Sequence, residues 1–183
     1  MYGQVALDTE EVTGMGFWGY FIVAQSERSL ADLGAISTLC SWDGSDQAGE
    51  LVGHRSDGSW QFLQVHRGDP SAVEWLAGRL STETGAPALA MYVLDSDCGW
   101  IVAASPRGGG WRGCLGPDIA IADYNMPPSN ACIEQIAEAA AEWAAEAGRV
   151  ADAGAIAAAM PERPGPFGEG VDDLMSALGF HFE

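Results

Sequence analysis

The sequence predicts an α+β fold: a mixed, mainly antiparallel sheet with one or two packed helices, followed by a C-terminal helical subdomain. Three observations predict it. Two short runs, GFWGYFIVA over 16–24 and PALAMYVL over 87–94, are almost continuously apolar, as in strands covered on both faces. Turn pairs such as Asp57-Gly58 punctuate strand-like segments and suit hairpins. After Gly116 the composition shifts to alanine and glutamate at helical spacing.

The elements follow in order. Residues 16–24 read as a strand, and Ser26 can cap a short helix over 27–33. The turn clusters Asp43-Gly44 and Asp57-Gly58 suggest a meander whose clearest strand is 59–66. Asp69-Pro70 joins an N-cap to a proline at the first helical position. The helix it starts carries Val73, Leu76, Ala77 and Leu80 on one face and ends near Gly85. Residues 87–94 form the second buried strand, Asp95-Ser96-Asp97 a turn, 99–105 its hairpin partner, and 111–115 a short edge strand. A proline-containing loop leads to Ser129-Asn130, a natural cap, and to helices over about 130–147, 150–160 and 171–178. The sheet region spans 1–117 and the acidic helical region 118–183, packed as one compact domain. Loss of order is expected only at 1–14 and around 161–170.

Charge narrows the partners. Eight arginines and no lysine stand against 26 acids, a net charge of −18. The missing lysine matches coding bias in a high-GC genome of actinobacterial type, but that bias does not explain the excess of acids. Such a surface repels nucleic acid and anionic lipid, and leaves a basic protein, a cationic small molecule or a metal ion compatible. Acidity is denser at the C-terminal end: residues 118–183 hold twelve acids and two arginines.

Chemical motifs are sparse. Cys40, Cys98, Cys114 and Cys132 form no C-x-x-C pair, and their spacing suggests no zinc site. No leader or membrane-spanning run is visible, so a cytoplasmic protein with reduced thiols is expected. The stretch SPRGGGWRG lacks the lysine of a phosphate loop and follows a strand of a hairpin, so it reads as a hairpin loop. Asp43 to Gln47 begins like a calcium loop but lacks the sixth-position glycine and twelfth-position glutamate. No cofactor, metal site or catalytic set is indicated.

Two candidate sites remain. Glu134, Glu138, Glu142 and Glu146 recur every fourth residue, which stacks them as one ridge on the outer side of a helix. With Trp111 as an exposed aromatic anchor, the ridge would dock a basic partner. Bacterial immunity proteins offer an analogy of charge and size, not of motif. The alternative is a small-molecule or catalytic pocket near His66, Arg67, Asp95 and Asp97, with His66 as a general base beside an Arg67 anion clamp.

Overall fold

The computed structural model describes residues 16–41, 48–166 and 168–183. The expectations for 1–14 and for the Asp43–Gln47 turn lie outside them. A six-stranded sheet runs in the order β2-β3-β1-β4-β5-β6, with every neighbour antiparallel. Its strands are β1 (Gly19–Gln25), β2 (Glu50–Asp57), β3 (Trp60–His66), β4 (Ala88–Leu94), β5 (Cys98–Ala104) and β6 (Gly110–Leu115). The mixed component of the expected sheet is therefore absent among the described residues.

The two apolar runs become the central strands β1 and β4. Tyr20 and Ile22 point to one face and meet Tyr92, Ala90, Val65 and Leu63 there. The helices α1 (Gly34–Cys40) and α2 (Val73–Thr84) cover that face. Phe21 and Val23 point the other way, with Phe62, Leu89, Met91 and Ile101. The helices α4 (Ile133–Glu146), α5 (Ala153–Ala159) and α6 (Glu169–Ala177) cover this second face. Because alternate residues reach opposite faces and both are covered, neither strand can alternate apolar with polar. One continuous core joins the sheet to the C-terminal helices.

Local signals placed α2 well. Asp69 accepts from the Ser71 N–H at 2.9 Å, a 3₁₀ turn over Pro70–Ala72 follows, and Gly85 closes the helix at φ 69°. Other boundaries move. The helix expected over 27–33 is a single 3₁₀ turn, Leu30–Asp32, after which an extended Leu33 breaks the chain before α1. The cap of α1 is long-range: Glu83 on α2 accepts from the N–H groups of Gly34 at 2.8 Å and Ala35 at 3.1 Å. A further helix, α3 (Pro117–Tyr124), stands where a loop was expected, with Pro117 in its first turn. Helix α4 begins after Cys132 rather than after Ser129-Asn130. In the segment expected to lose order near 161–170, described residues make defined contacts with the β4–β5 turn. Arg163 pairs with Asp97 at 2.8 Å, and the Gly165 N–H donates to the Ser96 carbonyl at 3.1 Å. Among the described residues no helix is long and apolar enough to cross a membrane.

Candidate binding site along the acidic helix

Helix α4 is amphipathic by sequence and packs accordingly. Ile136, Ala137, Ala140, Trp143 and Ala144 enter the core, and the Trp143 indole donates to the Ala104 carbonyl at 3.0 Å. The Cys132 N–H donates to Gln135 Oε1 at 3.1 Å, half of a capping box. Glu134, Glu138, Glu142 and Glu146 all lie on the exposed side.

The four are not equivalent. Glu146 accepts a hydrogen bond from the buried Ser105 hydroxyl and lies against Gly109, where a Cβ would come within 2.9 Å of its Oε1. It ties the end of α4 to the β5–β6 loop, whose Ser105 N–H donates to the Gly109 carbonyl at 2.8 Å. None of the ion pairs among the described residues involves Glu134, Glu138 or Glu142. The Glu134 carboxyl is held below the usual range, first by its own backbone N–H and then by the Cys132 side chain.

The start of α4 also borders an apolar cavity of about 230 Å³ at the open edge of β6. Trp100, Cys114, Ile121, Met126, Ile133 and Ile136 supply most of its apolar wall. Ile121 is 42% exposed at its mouth. The helices that border it carry acids. Asp118 and Asp123 are exposed on α3, and Glu134 is exposed on α4. The one cation lining the cavity, Arg112, is already paired with Glu74 at 2.8 Å, and Glu74 also accepts from the Trp100 indole at 3.1 Å.

No family model matches the chain, nor does any curated protein or solved structure.

Trp111 is not an exposed anchor. It is 5% exposed and belongs to the core between the sheet and the C-terminal helices, because its place on β6 points it to the α4 face. Its indole N–H is buried without an acceptor among the described residues. The apolar feature beside the ridge is thus a cavity rather than a protruding ring. Sequence reading missed it because α3 and residues up to 129 were read as a proline-containing loop and 130–132 as the start of the next helix, whereas together they line the cavity.

The residues of the alternative pocket do reach one end of the sheet, since Gly19 pairs with both His66 and Val93. Phe17 and Trp18 occupy the space between them. The Phe17 ring lies 6.0 Å from the His66 ring, and the Phe17 N–H donates to Ser96 Oγ at 2.7 Å. The Trp18 indole donates to Asp95 Oδ1 at 3.2 Å, and its carbonyl accepts from the Arg67 N–H at 2.7 Å. Asp95 and Ser96, at φ 53° and 60°, make a tight turn closed by the Asp97 N–H to the Leu94 carbonyl at 2.9 Å. Asp97 is engaged by Arg163. These aspartates are satisfied as turn and ion-pair residues.

Proposed function

We propose that this chain is a cytoplasmic acidic binding protein that docks a basic protein segment along α4 and seats one of its apolar side chains in the cavity beside β6. A neutralising or regulatory role is the concrete form of this reading. The observation that carries it is that three exposed glutamates, in none of the ion pairs among the described residues, run along the helix whose start lines an apolar cavity. Exposed charges steer encounter and set orientation but add little affinity, whereas a desolvated apolar anchor supplies it. Burying one leucine side chain is worth roughly 1.5–3 kcal/mol, or about 10- to 150-fold in Kd.

The test uses a short arginine-rich peptide with one central leucine, and its glycine counterpart, titrated against the full chain by fluorescence anisotropy. Three proteins are compared: the wild type, Glu134→Gln/Glu138→Gln/Glu142→Gln, and Glu27→Gln/Asp32→Asn/Glu50→Gln. The last two carry the same net charge. Support would be tighter binding of the leucine peptide, weakened and made less salt-sensitive by the ridge substitutions only. Equal binding of the two peptides, or equal losses in the two triple variants, would reject the site.

A further inference from the structure

Two of the four cysteines meet, although 15 residues separate them in sequence. Cys98 opens β5 and Cys114 lies near the end of β6, with Trp100 directly opposite Cys114. Cys98 is therefore the diagonal neighbour of Cys114, two residues along the same face. Their thiols interact closely enough to shift each other's ionisation. Gly116 follows the end of β6 as the left-handed cap of α3, at φ 60°, and lies against Cys98. A Cβ there would come within 2.6 Å of the Asp97 carbonyl and 3.6 Å of the Cys98 Cβ. Burial differs across the pair: Cys98 is buried, whereas Cys114 is half-buried and lines the cavity. A molecule entering the cavity meets the Cys114 thiol. Cys40 and Cys132, half-buried and exposed, have no such thiol neighbour among the described residues.

We propose that Cys98 and Cys114 are a thiol–disulfide exchange site, entered through the cavity, that takes low-molecular-weight disulfides as its oxidant. The site stands whether or not a basic segment docks nearby.

The chemistry balances in two exchanges. Cys98 first releases its proton to water and then takes the Cys114 proton; the Cys114 sulfur attacks a disulfide RS–SR, an S–S bond forms at Cys114, and RS⁻ leaves and takes up the proton that water received. Cys98 then loses its proton and attacks the Cys114 sulfur, expelling the second RS⁻. The sum is two cysteine thiols plus RS–SR giving one internal disulfide and two RSH. The interaction lowers the Cys98 thiol and, with burial, raises that of Cys114, so Cys98 is the member of the pair that ionises first and can take the Cys114 proton. Burial and the Asp97 and Asp123 carboxylates oppose the Cys98 shift. Cys114 Sγ also lies 3.2 Å from the Leu115 carbonyl, an alternative acceptor for its proton. In a reducing compartment such a pair would cycle rather than stay oxidised.

The experiment treats the reduced full chain with oxidised glutathione, alkylates the remaining thiols and cleaves after arginine. Cys132→Ser serves as background, because serine is a favoured cap at that position and leaves Cys114 as the one cysteine in fragment 113–149. The expected product has lost two of its three thiols and two hydrogens. It links fragment 80–107 to fragment 113–149 and is reversed by dithiothreitol. Cys98→Ser should instead trap a glutathione adduct at Cys114. The proposal is overturned if the background chain accumulates that adduct without the link, or if both thiols remain fully alkylatable. The linkage map needs no substitution at either cysteine, so a poorly folding Cys98→Ser chain would not blunt it.

Discussion

Glu146 is expected to behave oppositely to the glutamates that precede it on the ridge. Replacing Glu138 and Glu142 with glutamine removes all three i,i+4 repulsions: 134–138, 138–142 and 142–146. At roughly 0.2–0.5 kcal/mol each, the gain is about 0.6–1.5 kcal/mol at low salt. In a chain of 183 residues this raises Tm by about 2–4 °C per kcal/mol. Glu146→Ala removes one repulsion and one unfavourable charge at the helix C-terminus, together roughly 0.5–1.5 kcal/mol in its favour. Against that stands the charge-assisted hydrogen bond from Ser105, worth roughly 1.5–3 kcal/mol, whose loss leaves a buried hydroxyl unpaired. The net is a loss of about 1 kcal/mol. Glu146→Gln keeps an acceptor and should fall near wild type. Urea unfolding at low ionic strength, followed by far-ultraviolet circular dichroism, measures all three variants. If Glu146→Ala proves as stable as Glu138→Gln/Glu142→Gln, the tether between α4 and the β5–β6 loop does not operate.

Three further outcomes are expected. Trp143→Ala should cost roughly 3–5 kcal/mol in chemical unfolding, because a fully buried indole and its bond to Ala104 are lost. Trp111→Phe should cost less than about 1.5 kcal/mol, because the lost volume is partly offset by removing an N–H buried without an acceptor. The Glu83 carboxyl lies below the usual range, chiefly through the Gly34 N–H it caps. A depressed folded-state pKa gives stability that is present above the unfolded value of 4.5 and lost as pH falls through the folded one. Glu83→Gln should therefore be destabilising at neutral pH, and the gap should close as pH drops below that value; a gap independent of pH would contradict the cap.

Much of the fold was legible because its signals are local or periodic. GFWGYFIVA and PALAMYVL declared strands with both faces covered, and Asp69-Pro70 with Gly85 bracketed α2. What escaped depended on distant partners. The α1 start relies on Glu83, 49 residues from Gly34, and no local cap marks it. PDIAIADY was hidden by its leading proline, although that residue suits a first helical turn. The exposed ridge could be read from spacing alone, but the separate role of Glu146 needed the position of Ser105. Trp111 could not be assigned a face until the register of β6 was known. The meeting of Cys98 and Cys114 needs the same register, since no spacing rule pairs cysteines across a hairpin.

The most direct test of the docking site is a nitrogen-15 chemical-shift map of the full chain titrated with the arginine-rich leucine peptide. The expected result is a saturable footprint that joins cavity residues such as Cys114, Ile121 and Ile136 to the exposed turns of α4 at Glu138 and Glu142. A footprint on β2 or on the α1–α2 face, or diffuse shifts that track net charge without saturating, would contradict it.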